Sequence, residues 1–363
     1  MSSYAGDNLL PEITEAILSL LPAKTLGRLK SVSKTWDSLI SNPQFVKTHL
    51  DQNHHKTPRK LILIPFDHSP FSLDVSEFLP SPRNSDDDIS ATGKGMNFPI
   101  MCRFIWGSCN GLVLAEDETD TNFFINPTTK EIWNVPPSPF ALPITEGFDM
   151  MYGFGYDSST DDYKVVSISY LDGPDLFVSV YSLGSNSWKK LRNYPFDGDL
   201  PNVVLVNENL NWLTSPRANG SPPTLLAFSL ATEEFNKIEL PSSGSIENDV
   251  PVLFAVGGKL GVFGAVQVVN ESWVMEEYGV AGSWTRLGID GLDTGCHNTH
   301  YYLFVEGING DIVVQDQDIV VVYNMEERRC RKVRIEGGPR GFVIRGTYFE
   351  SLESPAKCIA RIH

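Results

Sequence analysis

The chain has 363 residues, of which 41% are hydrophobic, 11% aromatic and 20% charged, with 29 Gly and 24 Pro. That excludes a wholly disordered chain, and the Gly, Pro and aromatic content favours many short strands over long helices. A formal net charge of −16 argues against nucleic acid as a partner, because phosphate contacts need clustered Lys and Arg.

The charge is unevenly spread. Residues 1–60 carry 8 Lys/Arg against 5 Asp/Glu, net +3, whereas the remainder carries 21 against 40, net −19. So sharp a break predicts two units: a helical module over 5–52, a linker over 53–60 and a larger domain over 61–363. Five scattered cysteines with no CxxC pair indicate reduced thiols, and no secretory signal is visible, so the cytoplasm and/or nucleus is the expected location. The most apolar window, Val250–Val269, holds Lys259 and four glycines and is expected to be a buried β-hairpin, with no membrane role.

Leu10 and Pro11 open a first helix, since proline suits a position whose N–H needs no partner. Ile13, Ile17, Leu20 and Leu21 follow at helical spacing as one apolar stripe, and Pro22 stops it. A short second helix is expected near Leu26 and Leu29, and a third through Val32, Trp36, Leu39 and Ile40. Asn42-Pro43 caps and begins a fourth, through Phe45, Val46 and Leu50. About fifty residues cannot hide this many large apolar groups. Spacing alone leaves two destinations open for the surplus, a second protein or the C-terminal domain.

The stretch "LLPEITEAILSLLPAKTLGRLKSVSKTWDSLISNPQFVKTHL" resembles an F-box of the kind found in plant proteins. The resemblance implies binding to the Skp1 adaptor and, through it, to cullin-1 in a ubiquitin ligase. It implies that Leu10, Pro11, Ile13, Ile17, Leu18, Leu21, Pro22, Leu26, Val32, Trp36 and Leu39 form the adaptor face or its support. Departures are modest: Ser33 stands in place of a frequent Cys, Asp37 in place of a frequent basic residue, and Gly27 weakens the second helix by about 1 kcal/mol relative to Ala.

Past residue 60, Val- and Ile-rich runs recur between Gly, Pro, Asn and Asp: Leu61–Ile64, Phe123–Ile125, Val165–Ser169, Phe177–Tyr181, Val203–Val206, Leu225–Phe228, Val252–Val256 and Ile319–Tyr323. Aligning the hairpins gives a repeat. Asn126 precedes Trp133, Tyr181 precedes Trp188, Phe228 precedes Phe235 and Tyr323 precedes Cys330 by seven, and Tyr278 precedes Trp284 by six. First members lie 55, 47, 50 and 45 residues apart, the length of a four-stranded propeller blade. A further sheet can be assembled from residues near 61–79 and the strand around Gly341–Tyr348, closing the ring and removing exposed edges. The expected fold is therefore a small all-α module followed by an all-β propeller of six blades, with five or seven as neighbouring counts and an open sandwich as the other architecture. "GSCNGLVLA", "INPTTKEIWNVPP", "YGFGYDSSTDDYKVV", "VYSLGSNSWKKL" and "NENLNWLT" resemble the F-box-associated, kelch-like propeller domain of plant F-box proteins, nearest to the defence-regulating and S-locus group.

No catalytic set, metal site or cofactor loop is expected. Gly107-Ser108-Cys109-Asn110-Gly111 has the spacing of a nucleophile elbow, but a strand follows where a helix is needed, and Asn-Gly between apolar runs marks a hairpin. Cys296, His297 and His300 offer three zinc ligands without a fourth, and His54-His55 sits in the linker. Asp86–Asp88 reads as a solvated loop, and Asp157, Asp161 and Asp162 as turn caps lacking the spacing of a calcium loop. Gly153, Gly155, Gly257 and Gly258 open no helix and read as close approaches or turns. Exposed loop candidates are Ser81–Gly95, Gly173–Leu176, Pro216–Pro223 and Asp290–His300. The expected function is the non-catalytic substrate receptor of an SCF-type ubiquitin ligase, holding a protein target that the acidic propeller predicts to be basic. A scaffold without a degradation target and a propeller-based hydrolase are the alternatives.

Overall fold

The computed structural model describes residues 11–53, 57–79, 89–98, 100–141, 149–170, 175–191, 194–195, 203–214, 223–241, 252–263, 271–288, 305–308, 311–316, 319–324, 326–339 and 341–360. Four helices form a head: α1 (Pro11–Ser19), α2 (Ala23–Leu29), α3 (Lys34–Ile40) and α4 (Pro43–Asn53). Their boundaries follow from capping. Ser33 accepts from the Trp36 N–H at 3.1 Å to start α3, which gives this serine a definite task. The Asn42 Oδ1 accepts from the N–H groups of Gln44 and Phe45 to start α4.

The strands form six four-stranded blades. Blade 2 comprises Cys102–Cys109, Leu112–Asp117, Asn122–Ile125 and Ile132–Val135. Blade 3 comprises Asp149–Asp157, Asp162–Tyr170, Asp175–Ser182 and Ser187–Lys190. Blade 4 comprises Val203–Val206, Asn209–Leu213, Leu225–Ser229 and Glu234–Ile238. Blade 5 comprises Val252–Val256, Lys259–Phe263, Glu271–Met275 and Trp284–Gly288. Blade 6 comprises Val305–Ile308, Asp311–Asp316, Ile319–Asn324 and Arg329–Glu336. Blade 1 is composite: Arg59–Pro65, Phe71–Asp74 and Ile89–Gly95 take their inner strand, Phe342–Phe349, from the far end of the chain, as expected.

Closure is visible in the cores. Six apolar clusters occupy the six wedges between successive blades, from Ile62 with Val113 between blades 1 and 2 around to Val322 with Leu63 between blades 6 and 1. An open sandwich would have one shared interior, so the ring is the architecture. At the last wedge the buried Gln315 of blade 6 donates to the Phe342 carbonyl at 2.7 Å and accepts from the Ile344 N–H at 2.6 Å. One side-chain amide thus pairs with the inner strand of blade 1 as a neighbouring strand would. The outer edges of blades 6 and 1 also pair directly and in parallel, Val333–Glu336 against Ile89–Thr92.

The hairpin repeat holds in blades 3, 4 and 6, where Tyr181, Phe228 and Tyr323 pair with Trp188, Phe235 and Cys330. It is corrected in two others. Trp133 pairs with Phe124 and not Asn126, and Trp284 pairs with Met275 and not Tyr278. Both turns are longer than the four-residue connection of blade 3, and Asn126 works inside its turn, accepting from the N–H groups of Thr128 and Thr129. The outer tryptophans tie blades together: Trp188 donates to the Pro136 carbonyl of blade 2, and Trp284 to the Glu239 carbonyl after blade 4.

Alternation of strand direction gives the ring two unlike faces. Inner strands run toward the head, so the face next to it carries the first hairpin turns of blades 2 to 5. Those of blades 2, 4 and 5 are two-residue turns with positive φ at both positions: Asn110-Gly111, Asn207-Glu208 and Gly257-Gly258. The opposite, distal face carries the connection from blade 1 to blade 2 and the turn Phe66–Pro70 of blade 1.

Candidate functional site: the helical head and its anchor

The head has an interior and an unfinished exterior. Leu18, Leu26, Ile40, Phe45 and Val46 are buried together, with Leu21, Leu29, Trp36 and Leu39 packed half-buried around them. The α1 stripe divides in two. Leu18 and Leu21 face inward, whereas Ile13 (45% exposed), Ile17 (47%) and Leu20 (75%) line the outside, joined by Val32 at 62%. Of the candidate adaptor residues, Ile13, Ile17, Pro22 and Val32 are therefore exposed, Leu18 and Leu26 are internal supports, and Leu21, Trp36 and Leu39 lie between. Pro11 is the first residue of α1, and Leu10 lies outside the described residues. Leu20 belongs with the exposed set. Its spacing seven after Ile13 was the available signal, but adjacency to Leu21 obscured which of the two pointed inward.

The head is also anchored. After blade 1 closes, residues 350–354 turn beneath the ring and lead into a last helix, α5 (Pro355–Ala360). Leu352, 3% exposed, enters the apolar interior of the head. Lys357 donates to the Ser41 carbonyl at the end of α3 at 3.0 Å. The same segment is held to blade 2, where Asn126 Nδ2 donates to the carbonyls of Ser351 and Glu353, and the Ser351 N–H donates to Thr128 Oγ1. Of the two destinations left open for the surplus apolar groups, the C-terminal domain receives the inner set through Leu352, and the outer stripe stays exposed.

Polar contacts complete the joint. The buried His49 meets the Leu21 carbonyl through Nε2 at 2.8 Å. Burial lowers its pKa below the ordinary 6.5, and the carbonyl only partly opposes this. Lys60 lies between Glu350 (2.7 Å) and Asp74 (3.7 Å); burial acts to lower its pKa, but the hydrogen bond and charge of Glu350 prevail and raise it. Lys47 of α4 reaches Asp161 of blade 3 at 2.9 Å.

The residues weighed for chemistry have structural roles. Asn110 and Gly111 form the hairpin turn, with φ of 53° and 80°, and burial pushes the Cys109 thiol up to about 12, far from a nucleophile's range. Asp157 accepts from Ser159 and Thr160 in its turn and pairs with Lys164 at 2.9 Å. Burial opposes ionisation of Asp157, but these donors hold its pKa down at about 2. Gly153 and Gly155 are close approaches: a Cβ would come within 2.7 Å of Leu210 and 2.6 Å of Leu230, respectively. No His, Cys, Asp and Glu cluster suited to a metal occurs among the described residues. His54-His55, Asp86–Asp88 and Cys296, His297 and His300 lie outside them. One loop expectation is corrected: Ile89–Gly95, assigned to an exposed loop with residues 81–88, is a strand, because both of its edges are paired. Asp175 and Leu176, likewise, begin a strand of blade 3. No described helix is long and apolar enough to cross a membrane.

The described residues thus form a helical head with an exposed apolar stripe, tied through residues 350–357 to a closed six-bladed ring. Residues 9–52 match the F-box-like family model and residues 62–352 that of the F-box associated beta propeller domain. The chain is 30% identical to F-box protein CPR1 of Arabidopsis thaliana over 306 residues, covering 76% of this chain and 71% of that one. It is 27% identical over 300 residues to an F-box/kelch-repeat protein of the same plant, covering 80% and 81%. The chain belongs to the plant F-box proteins with an F-box-associated β-propeller, a family whose two domains are those of an SCF-type substrate adaptor.

Proposed function

We propose that the protein is the non-catalytic substrate receptor of an SCF-type ubiquitin ligase. The outer stripe Ile13, Ile17 and Leu20, together with the exposed Pro22 and Val32 and with Leu10 and Pro11, binds a Skp1-like adaptor and through it cullin-1. Leu18 and Leu26 support the stripe from within, aided by Leu21, Trp36 and Leu39. The propeller holds a protein target for ubiquitination and degradation. No side chain of this chain carries out chemistry. Its contribution is to raise the effective concentration of target beside the ubiquitin-charged enzyme, making transfer nearly intramolecular. Action in the cytoplasm and/or nucleus fits the scattered cysteines of the sequence, none of them in a CxxC pair.

One observation carries this reading: three large apolar side chains on one outer helix face are left in water by an otherwise packed head. The test is co-expression of the full chain with a Skp1-like adaptor. Ile17→Asp with Leu20→Asp should abolish co-purification while leaving the melting temperature within a degree or two, as both side chains already contact solvent. Retained capture would overturn the assignment. Accumulation of a bound target when the proteasome is blocked separates a receptor from a scaffold.

A further inference from the structure

The distal face of the ring offers a second uncovered apolar site, remote from the head. Phe66, 80% exposed, is the most exposed large hydrophobic residue among those described, and Met101 is 51% exposed. They come from different loops that are tied together. Phe66 lies in the turn between the first two chain segments of blade 1, and Met101 in the connection from blade 1 to blade 2. The Cys102 N–H donates to the His68 carbonyl at 3.1 Å, and the Met96 N–H to the Pro70 carbonyl at 2.8 Å.

The turn that presents Phe66 is built to be rigid. Pro65 and Pro70 bracket it. The Asp67 carboxylate accepts from the Ser69 N–H at 3.1 Å and from its hydroxyl at 2.6 Å. His68 sits at φ 58°, a left-handed conformation unfavourable for a residue with a Cβ. The Phe66 ring lies over Gly341, where a Cβ would approach to 2.6 Å; the φ of 70° at that residue also favours glycine. A strained, capped loop that fixes an exposed aromatic side chain is suited to a partner.

The surroundings define the partner's chemistry. Asp67 flanks Phe66. The loop bearing Asp117, Glu118 and Asp120 flanks Met101, since Arg103, two residues on, pairs with both Asp120 and the buried Glu116. Arg103 and Arg345 also stack over the Phe104 ring at 5.1 and 4.8 Å. Glu116 is buried, and it and Asp120 are taken up by Arg103, so Asp67, Asp117 and Glu118 are the carboxylates that remain beside the apolar pair, within a domain of net −19.

We infer that Phe66 and Met101 anchor the protein target. The segment they receive carries a large apolar side chain flanked by Lys or Arg, docked on the distal rim of blades 1 and 2. This rests on the receptor reading and adds the surface and the chemistry of the cargo. The apolar pair supplies contact area, and the surrounding carboxylates speed encounter and reject acidic segments.

The experiment pans a random dodecapeptide phage library at low salt on the full chain bound to its Skp1-like adaptor, or on the full chain alone. Enriched peptides are then synthesised and titrated by fluorescence anisotropy. The expected result is enrichment of Lys and Arg around a large apolar residue, with affinity falling as salt rises. Phe66→Ala with Met101→Ala should weaken binding at least about tenfold without moving the melting temperature. Val280→Ala, an exposed apolar truncation at a blade 5 turn facing the head, should leave binding unchanged. No enrichment, enrichment of acidic peptides, or equal affinity for wild type and the double variant would overturn the inference. Panning reads peptides and not the adaptor, so lost adaptor capture with successful selection would sink the ligase reading alone, and the reverse would sink only this one.

Discussion

The head and the propeller solve the same problem differently. In the propeller each sheet buries its faces against two neighbours, and closure leaves no wedge without a partner. Six apolar clusters for six blades is the result. The head is too small for that. It has one interior, which borrows Leu352 from the propeller's tail, and an outer stripe that no described residue covers. Four of the ten exposed large hydrophobics among the described residues lie in the head, although it supplies only about a sixth of those residues. Apolar composition alone therefore does not indicate a binding surface. Apolar groups that the local topology cannot enclose do.

The sharpest way to break this contrast is at Leu352. Leu352→Ala should cost about 2–5 kcal/mol, the range for truncating a buried leucine. The loss should fall on the head: hydrogen exchange should accelerate in α2, α3 and α4 while the inner blade strands stay protected. Uniform acceleration would mean that head and ring are one cooperative unit. Next in size is Gly153→Val within the ring. Its added carbons would meet Leu210 and Trp212, both buried and unable to yield, so about 1–3 kcal/mol should be lost. Adaptor capture should survive, because the change lies between blades 3 and 4.

A smaller effect is expected from pH. The pKa of His49 is lowered in the folded chain, so folding favours its neutral form. That contribution is present above the unfolded value near 6.5 and fades as pH falls through the lowered folded value. Thermal melts between pH 7.5 and 5 should show the wild type losing more stability than His49→Gln, and parallel losses would refute the assignment. The smallest effect belongs to Lys47→Ala. Its pair with Asp161 is exposed on both sides, so no more than about 1 kcal/mol should go, and head docking should persist in high salt. Undocking by salt would show that charge, and not Leu352, holds the joint.

Much of this architecture was legible in the sequence because it is written in local periods. Pro22, Ser33 and Asn42 punctuate the head where caps and stops belong. Five hairpins at blade spacing, with both ends of the domain supplying one more sheet, gave the ring. Three features were hidden, each for a definite reason. The pairing slots of Phe124 and Met275 were displaced because turn length changes spacing without changing register. Leu20 and Leu21 are indistinguishable by composition, and only packing shows which of them turns outward. Leu352 lies in "FESLESPAKC", which has no helical or strand period, and its partner residues are some three hundred positions away.

That separation orders events during synthesis. The helices of the head leave the ribosome first, yet the leucine that completes their interior is made about 306 codons after Val46, roughly 15–60 s later at ordinary translation speeds. The inner strand of blade 1, Phe342–Phe349, arrives just before it. A nascent or truncated chain therefore carries an open head, and protease treatment of chains stalled before residue 342 should cleave α2–α4 faster than in the finished molecule. Blade closure and completion of the head are written into one stretch of a dozen residues, so a chain that never finishes its ring never finishes its handle.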